Sequence, residues 1–117
     1  MRFNHYCMVL EIKKNHLEEY KNIHINPWKE VLGAIKKSGV KNLYIWIYKN
    51  FSILFFECED INDFYKKYNE FNIVKKWHSL MKTWILKSQP IDGTEEIVPL
   101  EKIFDVNQQI KGDLKPY

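Results

Sequence analysis

Polar and apolar residues alternate from about residue 3 to residue 12, with Tyr6, Met8, Leu10 and Ile12 on one side and His5, Cys7, Val9 and Glu11 on the other. A period of two is that of a strand whose two faces meet different surroundings. The period then changes. Asn15 is placed to cap a helix running to about Ile25, and Asn26-Pro27 interrupts it. Trp28, Val31, Leu32 and Ile35 follow the i, i+3, i+4, i+7 spacing of a second helix, which Gly39 ends. Alternation returns from about Asn42 to Tyr48, setting Leu43, Ile45 and Ile47 opposite Tyr44, Trp46 and Tyr48. A Lys49-Asn50 turn leads into a third strand over Phe51 to Glu59, so these two strands form a hairpin. Asp60 or Asn62 can cap the next helix, which carries Ile61, Phe64, Tyr68 and Phe71, and Ile73, Val74, Trp77, Met81 and Trp84 mark one face of another. Lys87 to Gly93, with Pro90 and Asp92-Gly93, reads as a loop. A last alternating stretch, about Glu96 to Phe104, predicts a fourth strand, and its Pro99, which cannot donate to a ladder, assigns it to an edge or a bulge.

The order strand, helix, strand, strand, helix, strand predicts an α+β fold, the ferredoxin-like βαββαβ sandwich with its helices on one sheet face. The 117 residues suffice for a single domain. It is expected over 1–104, with 105–117 as a polar, loosely held tail. The strands carry apolar or aromatic side chains on both sides, and 15% of the chain is aromatic. The face without helices therefore needs a cover. A second copy is the economical one, giving a homodimer whose two sheets close a dimeric α+β barrel.

Charge narrows the partners. Eighteen basic residues against fifteen acidic ones leave a net charge of +3, and the lysines fall in scattered pairs such as Lys36-Lys37 and Lys75-Lys76. Scattered pairs read as solvated helix faces rather than the concentrated footprint of a nucleic-acid binder. An RNA-recognition module would also need glycine and a base in its third strand, and Phe51-Ser52-Ile53-Leu54-Phe55-Phe56 has neither. No run of 18 apolar residues offers a membrane span, and Met1 to His5 precede no long apolar leader, so a cytoplasmic protein is expected. Cys7 and Cys58 stand apart without zinc or redox spacing and read as buried thiols; no metal site is expected.

Candidate chemistry lies just before Pro27. Leu17, Tyr20 and His24 fall on one helical stripe, with His24 at the helix's end. There the helix dipole favours an imidazolium, so its pKa is expected near or above the ordinary value of about 6.5, fit for giving and taking a proton near neutrality. Helical histidines are more often surface or satisfied core groups, so this pair alone does not fix an activity.

The ordered set of motifs carries further. Tyr6-Cys7-Met8, Glu18-Glu19-Tyr20 with His24 and Trp28, Ser38-Gly39, Phe56-Glu57, Trp77 with Leu80-Met81, and Leu100-Glu101-Lys102-Ile103-Phe104 together resemble the L-rhamnose mutarotase family, including its L-fucose-type branch. The resemblance implies a dimeric, cofactor-free isomerase that interconverts the α and β anomers of a 6-deoxy hexose. It implies that His24 is the catalytic proton carrier, that Tyr20 contacts the sugar, and that Trp77 and His78 form the aromatic pair of the late helix. His78 stands where rhamnose-type members have a second tryptophan, and Leu43 where they have a tyrosine. Fucose-type members also lack that tyrosine, so the pattern leans to their branch. A dimeric-barrel monooxygenase and a non-catalytic sugar-binding relative would share this fold.

Overall fold

The computed structural model describes residues 2–89 and 97–112. Strands β1 (Asn4–Ile12), β2 (Val40–Tyr48), β3 (Phe51–Cys58) and β4 (Ile85–Gln89) form one antiparallel sheet in the order β2-β3-β1-β4. Helices α1 (Leu17–Ile25) and α2 (Lys29–Lys37) fill the first crossover, and α3 (Ile61–Tyr68) and α4 (Asn72–Trp84) the second. This is the ferredoxin-like α+β sandwich.

Alternation sorts the strands' side chains. Tyr6, Met8 and Leu10 of β1 lie opposite Phe56, Leu54 and Ser52 of β3, which in turn face Leu43, Ile45 and Ile47 of β2. These inward positions meet the helices through Tyr20, Val31, Phe64, Val74, Trp77 and Met81, and the two central strands are buried there. Leu43 and Ile45 of the edge strand β2 remain half-buried and Ile47 is exposed, so the sandwich gapes along that side.

Local signals explain the breaks. Asp60 is the cap of α3, its Oδ1 accepting from the backbone N–H of Asn62 at 2.8 Å and Asp63 at 3.4 Å. Gly39 has φ +101°, a conformation that a side chain resists, and this lets the chain turn from α2 straight into β2. Asn15 does not cap α1; it lies inside a 3-10 turn, Lys14–His16, that precedes the helix.

The fourth strand is not where alternation placed it. β4 follows α4 without a loop, so Lys87 to Gln89, read as loop, are strand, while Pro90 to Gly93 lie outside the described residues. Its position follows from β1, whose second half offers an open edge: Leu10 pairs with Ser88 and Glu11 with Lys87, with an irregularity before Ile12 and Ile85. Residues 97–104 of the expected strand form no regular element; they touch the sheet where the Leu100 N–H donates to the His5 carbonyl at 2.6 Å. A short helix α5 (Val106–Lys111) follows, with Asp105 accepting at its N-terminus and Gly112 closing it at φ +73°.

Candidate active site

A cavity of about 680 Å³ lies between the inner sheet face and all four crossover helices, lined by Leu10, Leu54 and Phe56 on the sheet side. Tyr20, His24, Trp77 and His78 all line it. The helical stripe expected on α1 therefore faces inward. Tyr20 is 2% exposed, and its hydroxyl shares a 2.7 Å hydrogen bond with Ser52 Oγ on β3, which ties α1 to the sheet. Burial pushes the Tyr20 phenol above its usual pKa, so it stays protonated at neutrality.

His24 sits one turn above Tyr20, ring centroids 4.3 Å apart, with the Trp77 indole meeting it edge-on at 5.3 Å. Its Nδ1 lies 2.7 Å from the Tyr20 carbonyl oxygen. A carbonyl only accepts, so Nδ1 carries the proton, and in the neutral ring Nε2 is the basic nitrogen. Among the described residues Nε2 has no hydrogen-bond partner. The helix end was expected to favour the charged form. The structure reverses this: burial lowers the His24 pKa below its ordinary value, and the bond to the Tyr20 carbonyl opposes that only in part. Desolvation of a cation outweighs a terminal dipole when the ring is packed between two aromatics.

Trp77 is almost fully buried and also meets Trp28 edge-on at 5.2 Å, so α4 is locked against the chain between α1 and α2. His78 is half-buried and touches the Tyr68 ring at 5.6 Å. Its pKa too is lowered, first by burial and then by the Lys82 cation one turn further on. Adjacent helical residues point about 100° apart, yet the cavity is wide enough to be reached by both.

The remaining histidines lie elsewhere. His16 pairs with Glu19 on the surface at 3.0 Å. His5 is on the outer sheet face, Nε2 3.0 Å from Glu57 Oε2, with the Asn42 amide donating to Glu57 Oε1 at 2.8 Å. These two bonds hold the Glu57 carboxyl below its usual pKa, the Asn42 bond having the larger share. Among the described residues no group of three His, Cys, Asp or Glu could hold a metal ion. No helix there is long and apolar enough to cross a membrane.

Three groups escaped the reading of the sequence as parts of the site, two on the cavity wall and one, Ser52, enclosed behind Tyr20. Ser52 was visible as the polar residue at an inward position of an alternating strand. Tyr65 and Tyr68 are the two on the cavity wall. Tyr65 is four residues from Ile61 and three from Tyr68, so helical spacing assigns it to the same inward side.

Residues 5–106 match the model of the L-rhamnose mutarotase family. The chain belongs to this family, whose members are isomerases acting on sugar anomers. A UPF0734 protein of Dictyostelium discoideum is 26% identical over 114 residues, covering 90% of this chain and 91% of that one. The L-rhamnose mutarotase of Formosa agariphila superposes with a TM-score of 0.59 at 25% identity, covering 86% of this chain and 96% of its own. A Bacteroides thetaiotaomicron protein named as a candidate antibiotic biosynthesis monooxygenase superposes with a TM-score of 0.61 at 16% identity, over 88% and 91% of the two chains. At that identity the likeness speaks for the fold alone.

Proposed function

We propose that the protein interconverts the α and β anomers of a 6-deoxy hexose, L-fucose or L-rhamnose, with His24 as the proton carrier. The observation that carries this is the tethering of His24 Nδ1 to the Tyr20 carbonyl, which leaves a basic Nε2 on a residue lining a deep cavity. Nε2 takes the proton of the anomeric hydroxyl, the C1–O5 bond breaks, and the imidazolium hands the same proton to the departing ring oxygen. The open aldehyde turns about its C1–C2 bond. Reclosure on the other carbonyl face runs the same transfers backward and restores neutral His24.

The lowered pKa suits this order, because the ring starts unprotonated and, once charged, is a better proton donor than a free imidazolium. Tyr20 anchors the carbonyl that orients His24 and shapes the floor of the site. Trp77 and His78 supply the wall against which the sugar's C–H surface and methyl group rest. The apolar sheet residues Leu54 and Phe56 favour a deoxy methyl over a hydroxymethyl group.

Two copies are expected to pair through the outer sheet face. Tyr44, Trp46 and Tyr48 are 47%, 55% and 62% exposed there, a cluster a soluble monomer seldom leaves bare. Two free thiols, Cys7 and Cys58, suit a reducing compartment such as the cytoplasm.

The test is saturation-transfer NMR of each sugar with catalytic amounts of protein. Faster α/β exchange supports the reading; a rate equal to that of free sugar refutes it. Oxygen consumption with quinol-like aromatics would instead favour the monooxygenase relatives. Binding of sugar without faster exchange would identify a non-catalytic relative.

A further inference from the structure

Two tyrosines that line the cavity carry hydroxyls without a strong protein partner. Tyr65 OH has one neighbour in hydrogen-bond range, the Met8 thioether sulfur at 3.9 Å. Sulfur in a thioether is a weak acceptor. Tyr68 is 6% exposed, and among the described residues its hydroxyl has no hydrogen-bond partner. Burial raises both phenols, Tyr68 to about 12 and Tyr65 further, so both are proton donors at any working pH.

Their neighbours show the contrast. Tyr20, in the same cavity, is satisfied by Ser52 at 2.7 Å. A hydroxyl on a cavity wall without a strong protein partner is left to donate to a bound ligand. Both residues sit on α3 three positions apart, their rings 6.3 Å from each other, and Tyr68 touches His78. They therefore extend the site from the His24 end toward the side that His78 occupies.

We propose that Tyr65 and Tyr68 are the groups that read the sugar, their hydroxyls bonding to ring hydroxyls remote from the anomeric carbon and so setting which stereoisomer is accepted. This rests on the anomer-exchange reading of the cavity. The chemistry fits a polyol ligand in a largely apolar pocket. His24 serves the reacting oxygens, Trp77 the C–H surface, and two fixed donors on a different helix remain for the substituents that distinguish one hexose from another. A site built to bond a hydroxyl discriminates against a ligand lacking it far better than a merely shaped one.

The experiment is Tyr65→Phe and Tyr68→Phe, assayed on L-fucose, L-rhamnose, D-galactose and D-glucose, with sugar binding followed separately by tryptophan fluorescence and folding by thermal melts. Each change is expected to weaken binding of the preferred sugar roughly three- to tenfold, the size of one neutral hydrogen bond. It should raise KM more than it lowers kcat, and narrow the ratio of kcat/KM between sugars. Melting temperatures should stay level or rise, because no good protein partner is lost.

Phe variants with unchanged KM and unchanged sugar preference overturn this inference while leaving anomer exchange standing. A clear drop in melting temperature also overturns it, since it reveals a structural partner for the hydroxyl. A wild type that binds sugar without hastening exchange removes the catalytic reading, and weaker binding by the Phe variants would still support the tyrosines. A wild type that neither binds nor hastens exchange overturns both.

Discussion

The two faces of one sheet are built from the same strands by the same alternation, and they end in opposite states. On the inner face Phe56 is 2% exposed and Ser52 is fully enclosed, packed against α1 to α4. On the outer face Phe55, the residue just before Phe56, stacks on His5 at 5.4 Å and lies beside exposed Tyr44 and Trp46. The difference teaches what burial does to chemistry. His24 on the covered side has a lowered pKa, a single tethered nitrogen and aromatic walls. His5 on the bare side has a carboxylate partner in partial contact with water.

If this contrast governs function, the two histidines should answer mutation differently. His24→Ala is expected to remove about 10²–10⁴ of the acceleration, the usual share of one general acid or base. His5→Ala should leave the exchange rate within about twofold of wild type, since it is remote from the cavity. Saturation-transfer NMR at a fixed sugar concentration measures both, and equal losses would dissolve the distinction.

Stability offers the next contrast. Phe56→Ala empties a filled core position and should cost about 3–5 kcal/mol by urea unfolding. Phe55→Ala should cost clearly less in the isolated subunit. Its larger effect is expected on association: sedimentation velocity should show the variant shifted from dimer toward monomer, and no shift would separate the aromatic outer face from the dimer.

A smaller change probes the seam between α1 and the sheet. Ser52→Ala leaves the Tyr20 hydroxyl buried without its partner, at a cost of about 1–3 kcal/mol. Tyr20→Phe in the same background should recover much of that loss in thermal melts, because the orphaned group is then gone. Without recovery, the hydroxyl pair is not what joins helix and strand.

The gentlest probe is pH. Burial lowers the pKa of both His24 and His78, so the unfolded chain binds protons more readily than the folded one just below the ordinary imidazole value of about 6.5. Stability is therefore complete above that value and declines as pH falls toward the folded pKa values. The urea midpoint should drop as the pH falls below about 6.5, and less so in His24→Gln. Exchange activity should also be full above neutrality and fall on acidification, when Nε2 is already protonated.

How far these features could be read from the chain varies by residue. Val31 and Ala34 in one helix and Val74, Trp77 and Met81 in another repeat at helical spacing, and Ser52 to Cys58 alternate; each pattern is local, so each is visible without knowing its neighbours. Tyr20 and His24 were legible as a pair for the same reason. Tyr65 was not, because its role depends on what fails to lie near its hydroxyl. The misplaced fourth strand has a related cause: Ile85–Gln89 carries little period of its own and is held by the free edge of Val9–Ile12.

Periodicity thus determined, within the sequence itself, the first three strands, the crossover helices and the stripe bearing Tyr20 and His24, since these follow from repeat lengths of two and 3.6 residues. Only the tertiary structure decided the course of β4, the Ser52 partner of Tyr20 and the direction of the His24 pKa. Each depends on distant residues brought close enough to exclude water or to pair, and that is a property of packing, which no local pattern encodes.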